Sequence, residues 1–564
     1  MMYAIVWPVK TNIFTLFAFC LCWCTNAAIY EVTAFGAVGD GVTDDGEAVR
    51  RALAAAATNR EPSRVVFPRA IYRLGATGVG RAHMALAKTG NLLIDGKGST
   101  FIVHPCAPFV TLTQCTNVTI RRMEVEYAPR SFTQGTIRNV DAGAGALDLE
   151  IHTGYPSPVG QATNRLSMAT WQWGVVFDPV ERHRKWDLGD HFFLEAGEPL
   201  LASSSRFRIT VTEPYKKGLQ AVKPGDRFAL PLKQTEDGKG TQATNFSVTD
   251  STGCLVEDVT FYGGGNGMVF AICRNQGRIT LRRVRIQHKP GSDALWSAWR
   301  DGMHCKDNRI GPIIEDCFFE GMQDDSINLG ANTAMATEQQ SPTTFILMGA
   351  KFSVGDRVLA VDLNTGNILA DTTAVAVEKE KSNQRVTLAK PIDSPIVLGS
   401  KRPHLDVRGT HFYNASYASD GYEVRGCVFK PQRRHAMLIR SSNGIIENNT
   451  VDQVGGSAVH MSNEIGSFYE GPFPQNNVIR NNTFVNTQGT PITLYSAVFN
   501  PKALLVQNNV VSNNLIRVRP SQVAIRVRSC KNITLLNNRI YALDSDTPVT
   551  NAITCTSSKD IILK

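Results

Sequence analysis

The chain has 564 residues, 43% of them hydrophobic and 19% charged, with 59 Lys and Arg against 50 Asp and Glu. This composition supports a large folded core and excludes both a disordered chain and a protein with internal membrane spans, because no internal apolar run is long enough. The nine surplus positive charges are scattered along the chain, so no nucleic-acid surface is indicated.

The opening "MMYAIVWPVKTNIFTLFAFCLCWCTNAA" has a weakly basic start, an apolar stretch from Ile13 to Trp23 and small residues at Thr25, Ala27 and Ala28. It reads as a secretory leader cleaved near Ala27, which assigns residues 1–27 to the leader and the mature protein to the periplasm or the exterior. A lipid anchor at Cys24 is the rival, disfavoured by the bulk of Trp23. Nine of the twelve cysteines remain after cleavage, without CxxC spacing, so neither a zinc site nor a disulfide framework is expected.

Residues 28–130 begin with "VTAFGAVGDGVTDDGEAVRRALAAAA", read as a strand, a Gly/Asp turn and an amphipathic helix starting near Asp44 or Asp45, with "SRVVFPRAIYRL" as the next strand. An acidic helix N-terminus accounts for that Asp pair. The pattern is similar to the entry of pectin-lyase-like β-helices, where such a helix caps the first coil. From 245 onward the chain repeats itself with a period of roughly 20–30 residues, within the range of solenoid repeats. The units are "LVEDVTFYGGGNGMVFAI", "IIEDCFFEGMQDDSINLG", "EVRGCVFKPQRRHAMLIR", "IIENNTVDQVGGSAVHMS" and "VIRNNTFVNTQGTPITLYS". Each unit holds two short β-branched strands around an Asn, Asp or Gly turn, which predicts a right-handed parallel β-helix, an all-β solenoid. Coils then stack about 4.8 Å apart, with Asn ladders along the turns. The six Asn-x-Ser/Thr sequons are read as turn geometry ahead of glycosylation, and Cys317 and Cys427, at matching repeat positions, as packing.

Two stretches, 131–244 and 331–410, are strand-rich without the coil period. Both carry a Gly-Asp turn feeding an alternating strand, in "AVKPGDRFAL" and "KFSVGDRVLAVD", and are read as two related small β-barrels inserted into the solenoid. They separate its N-terminal part (28–130), its central coils (245–330) and its C-terminal coils (411–564). The sequence stops at "DIILK", still strand-like, which reads as an end inside the solenoid.

The central coils hold the candidate chemistry. "EGMQDDSINLG" places Asp324 beside Asp325, and Asp301 precedes Asp324 by about one coil. Equivalent positions on successive coils lie above one another, so three carboxylates are expected to converge, provided the turn breaks the pleat and lets both neighbours face outward. Three readings are open: calcium binding with lyase chemistry, glycoside hydrolysis in which crowding keeps one acid protonated, and acids that merely bind turn N–H groups.

An Asp-Gly followed one coil later by Gln-Asp-Asp is similar to the family 28 polygalacturonases. More closely, "RDGMHCKDNRIGPIIEDCFFEGMQDDSINL", "AVHMSNEIGSFYEGPFPQNNVIRNNTF" and the two insertions resemble glycoside hydrolase family 110 over nearly the whole mature chain. That resemblance implies an inverting exo-α-galactosidase acting on terminal α-1,3-linked galactose, as in the blood-group B determinant. Asp301, Asp324 and Asp325 match its catalytic acids, with Asp324 as general acid and the other two activating water; inversion sets an expected separation of roughly 6.5–9.5 Å between acid and base carboxyls.

The Arg-x-Lys that holds a uronic carboxylate in polygalacturonases is absent after Asp325, which favours a neutral sugar. Arg433, Arg434 and Arg440 in "QRRHAMLIR" offer donors to hydroxyls or to an acidic group. Trp296 and Trp299 precede Asp301 and are candidate sugar platforms or loop packing. His304, Asn328, His460 (level with Asn328 two coils on), Glu464 and Tyr469 are candidate sugar contacts. Neither a cofactor nor a metal is expected; the alternatives are a calcium-dependent polysaccharide lyase and a non-catalytic carbohydrate-binding solenoid.

Overall fold

The computed structural model describes residues 27–78, 81–159, 173–200, 205–233, 240, 244–265, 267–399, 409–465, 468 and 470–564; the expected leader, apart from its last residue, lies outside them. The repeats form a parallel β-helix. In one of its ladders Met84–Ala87, Val110–Thr113, Thr244–Thr249, Met268–Cys273, Met303–Lys306, the start of Ile327–Gln339, Met437–Ile439 and Val459–Ser462 lie in parallel register on successive coils. Two further ladders meet at a sharp turn in each coil, as between Ile313–Glu315 and Phe318–Phe319.

Those turns explain the Asn-rich signature. Asp258, Asp316, Asn448, Asn481, Asn513 and Asn537 all take a left-handed backbone, with φ between 52° and 57°, a conformation Asn and Asp tolerate better than other side chains do. The second residue of each Asn pair points inward and builds a ladder: Asn449 Nδ2 donates to Asn482 Oδ1, Asn482 to Asn514 and Asn514 to Asn538, each at 2.9 Å. Four sequon asparagines, Asn117, Asn448, Asn481 and Asn532, have positive φ.

Inside, Leu281, Ile314, Val424, Ile446 and Ile479 stack with no exposure, each burial contributing about 1.5–3 kcal/mol. Cys317 and Cys427 are free and buried in the same stack. The helix Gly46–Thr58 closes the N-terminal end by setting Ala48, Val49, Ala52, Leu53 and Ala56 on this core. Its acid pair serves the entry turn: Asp45 Oδ1 accepts from Val38 N at 2.6 Å, and Asp44 Oδ1 from Gly46 N and Gly75 N, both at 2.9 Å.

Two closed barrels project from the solenoid. The first comprises β1 (Phe132–Asp141), β2 (Ala146–Ile151), β3 (Trp173–Phe177), β4 (Phe192–Pro199), β5 (Arg206–Val211) and β6 (Arg227–Pro231), paired in the ring β1-β2-β5-β4-β3-β6. The second comprises β7 (Ile327–Gln339), β8 (Thr344–Gly349), β9 (Arg357–Asp362), β10 (Ile368–Glu380), β11 (Asn383–Leu388) and β12 (Thr410–Asn414), in the ring β7-β8-β11-β10-β9-β12. The order is the same in both, so the two insertions share one topology. Each leaves the coils without interrupting them: Thr111 pairs with Ser247 across the first, and Asn328 with Leu438 across the second. β7 starts as a solenoid rung and continues into its barrel, which ties the second insertion rigidly to the coil that carries the acid pair.

Candidate active site

The register of the ladder sets the acids. Ala298 pairs with Met322 and Met303 with Ile327, the same offset on either side of the acids, so Asp301 is level with Asp325 and Arg300 with Asp324. Phe319 pairs with Phe429 and Ile327 with Met437, again with one shared offset, which brings Arg434 level with Asp324 and His435 level with Asp325. Two columns result, Arg300-Asp324-Arg434 and Asp301-Asp325-His435. Spacing along the sequence places Asp301 beside both Asp324 and Asp325; the register sets Asp325 directly level with it and Asp324 one residue to the side. Both neighbouring acids reach one cavity because the chain bends at 321–326, with Gly321 at φ 76°, before regular strand resumes at Ile327.

One carboxylate oxygen from each of Asp301, Asp324 and Asp325 lies within 4.8 Å of the others. Their environments differ. Asp301 and Asp325 are 5% and 3% exposed, whereas the Asp324 side chain retains 31% and faces the cavity. His304 Nδ1 lies 2.6 Å from Asp301 Oδ2, and His435 N donates to Asp325 Oδ1 at 3.0 Å. Burial raises both the Asp324 and the Asp325 carboxyl, reinforced at Asp324 by the Asp301 charge and at Asp325 by both neighbouring acids. The cluster therefore retains a proton where isolated aspartates are ionised. The three oxygens are also near enough to share a cation, but Arg433 Nη2 and Arg434 Nε, each 3.8 Å from Asp324 Oδ1, already bring positive charge there.

The acids line a cavity of about 530 Å³ together with His304, Asn328, Arg434, Arg440 and Glu464. Asn328 Oδ1 accepts from Lys306 Nζ at 2.5 Å and Arg440 Nη1 at 3.3 Å, and Arg440 Nη2 reaches Glu464 Oε2 at 3.3 Å. Trp296 and Trp299 do not line this cavity. They are 3% and 1% exposed in an aromatic cluster with Phe132 and Trp173, where the Trp299 and Trp173 rings stack at 3.9 Å. The loop before Asp301 spends its indoles on fastening the first barrel to the solenoid. His460 is level with Asn328 two coils on, as the repeat predicts, but Leu438 occupies the intervening rung and lines the cavity in its place. Tyr469 lies outside the described residues.

Two groups in this cavity were not visible in the sequence. From the first barrel and the segment just before β4 come Trp173, Asp190, His191 and Phe193. Asp190 Oδ2 accepts from both Arg433 Nη1 and Arg434 Nη1, the latter at 3.0 Å, and the Arg433 guanidinium lies 4.3 Å from the centre of the Trp173 ring. Burial alone would raise the Asp190 carboxyl, but His191 and the two arginines hold it far below the usual carboxylate range. The other group is an ionic floor: Glu470 Oε2 meets Lys306 Nζ at 2.9 Å and Arg440 Nη1 at 3.0 Å. Against the cost of burial, Lys306 and Arg440 hold Glu470 down to about 2. Nothing in "WDLGDH", far from the arginines along the chain, signals such a contact, because it depends on how a barrel docks.

Comparison with known proteins adds a family and relatives. Residues 409–563 match the family described as right handed beta helix region. The chain is 22% identical to alpha-1,3-galactosidase B of Akkermansia muciniphila over 92% of its own length and 67% of that protein, and 23% identical to alpha-1,3-galactosidase A of Bacteroides fragilis over 72% of its own length and 65% of that one. It thus spans about two thirds of the length of these relatives. Among solved structures, the A-module of the Azotobacter vinelandii mannuronan C-5 epimerase AlgE4 aligns over 95% of this chain and 98% of its own, at 12% identity and a TM-score of 0.41.

Proposed function

We propose that this β-helix protein is an exo-acting, inverting α-1,3-galactosidase that removes terminal galactose from neutral glycans such as the blood-group B determinant. The observation that carries the reading is the unequal exposure of three crowded acids in one cavity. The relatives named alpha-1,3-galactosidase supply the sugar and the linkage. The proposed leader would carry the enzyme to glycans outside the cytoplasm.

Asp324, the exposed member, donates its proton to the departing glycosidic oxygen. Asp301 and Asp325, set deeper in the cavity wall, hold a water molecule and take its proton as it attacks. His304 and His435 N orient those two carboxylates. Direct attack by water inverts the anomeric centre, so proton NMR during hydrolysis of an α-1,3-galactoside is expected to show β-galactose first. An α-anomer appearing first would exclude the inverting route. A calcium-dependent lyase would instead give an unsaturated product absorbing in the near ultraviolet and would stop with chelator, while galactose release is expected to continue in chelator.

Asp190 sets the working pH. By accepting from Arg433 and Arg434 it keeps two guanidiniums at 3.8 Å from Asp324, short of full ion pairing. The groups facing Asp324 are then Asp301, Asp325, Arg300, Arg433 and Arg434. In Asp190→Asn the arginines are released toward Asp324, which favours its ionised form, so the proton is lost at lower pH. The basic limb of kcat/KM is expected to move about one pH unit or more toward acid; an unshifted profile would remove Asp190 from this role.

A further inference from the structure

We propose that a second cavity, between the second barrel and the solenoid, is the binding site for the reducing-end part of a neutral oligosaccharide whose terminal galactose occupies the acid cavity. This rests on the proposed galactosidase reading and extends it to the substrate's size.

The cavity has a volume of about 820 Å³ and shares Phe468 with the acid cavity. Phe468 is 65% exposed, an open aromatic face at the junction of the two spaces and a surface suited to the apolar side of a sugar ring. One wall of the second cavity is regular. Gln114, Asp250, Arg274 and Asp307 each follow a strand of the site ladder, one per coil, and all four have φ between 53° and 56°. The same rung carries Asp301 just before Met303–Lys306 and Asp307 just after it. The near-extended chain between them spans about 20 Å, the length of several linked sugar rings.

The chemistry of the lining suits a neutral glycan. Met335, Met348 and Tyr417 supply apolar surface from the second barrel and its return, while Gln276 and Lys351 are exposed hydrogen-bonding groups. Most charges in the wall are paired: Arg274 Nη2 lies 2.9 Å from Asp250 Oδ2 and Arg309 Nη2 3.4 Å from Asp356 Oδ1, while Asp307 accepts from Asn332 N and Nδ2 at 2.7 and 2.6 Å. Tyr417 OH donates to Gln276 Oε1 at 2.8 Å, bridging barrel to solenoid across the cavity.

The test is a length series sharing one terminal α-1,3-galactose: a nitrophenyl galactoside, the disaccharide and a neutral hexasaccharide. In the wild type, kcat/KM is expected to rise at least tenfold from disaccharide to hexasaccharide. The double variant Gln276→Ala/Lys351→Ala, both exposed positions, is expected to lose that rise and keep disaccharide hydrolysis within twofold; Tyr417→Ala should do the same. A flat wild-type series, or variants that retain the rise, would overturn the proposal. A second readout does not depend on turnover: a galactose-free oligosaccharide of the same core should bind the Asp324→Asn protein in calorimetry and bind several-fold more weakly when Gln276 and Lys351 are also replaced. Failure of every substrate to react, with this binding intact, would sink the galactosidase reading and leave the glycan site standing; the absence of binding would sink the site.

Discussion

Asp324→Asn is expected to lower kcat/KM for release of terminal galactose by roughly 10²–10⁴-fold, the range lost with a general acid. The amide is nearly isosteric and cannot donate a proton of useful acidity, so substrate affinity should change little, and binding without turnover is the signature to measure. The variant should not be less stable. Asp324 and Asp325 have raised affinities for protons in the folded state, so their contribution to stability is fully present below the pKa of an unfolded aspartate and is lost as pH rises through the folded value. Removing one of three crowded charges relieves that loss. The melting temperature of Asp324→Asn relative to wild type should therefore increase as pH rises above the range in which an unfolded aspartate ionises. Full activity in the variant would end the proposed mechanism; a stability difference that does not grow with pH would show that the acids are not coupled as their 4.8 Å approach requires.

Trp299→Ala should be the most damaging change outside the acids. The ring is 1% exposed and stacks at 3.9 Å on Trp173, over which the Arg433 guanidinium lies at 4.3 Å. Truncating a buried Trp costs about 3–5 kcal/mol, and here it also frees the barrel strand that carries Trp173. Thermal unfolding should occur at lower temperature, and kcat should fall about tenfold or more as Arg433 loses its seat, an effect of misplacement on the chemistry. Trp299→Phe, which keeps an aromatic face, should recover most of the kcat. A lower melting temperature with unchanged kcat would mean that the stack holds the barrel without positioning the arginine.

The solenoid was legible because its physics repeats. Asn pairs such as Asn448-Asn449 and Asn481-Asn482 serve the same two tasks in every coil, one residue turning the backbone and the next building the ladder. Local chemistry of this kind writes itself into the sequence at a fixed period. The convergence of Asp301 with Asp324 and Asp325 followed from the same period; which of the two lies directly level with Asp301 did not, because the alternation of a strand is lost where the chain bends next to the acids.

Whatever depends on one coil and the next could thus be read from the residues: the solenoid, its turns, the places where two strand-rich segments leave the coil period, and the acid cluster. Docking decided the rest. Whether the indoles of Trp296 and Trp299 meet a sugar or seal a barrel, whether Asp190 finds two arginines, and how Lys306, Glu470 and Arg440 close into a buried network are set by contacts between segments far apart in the chain. Such contacts have no period, and each side chain would be unremarkable alone, so only the assembled fold reveals them.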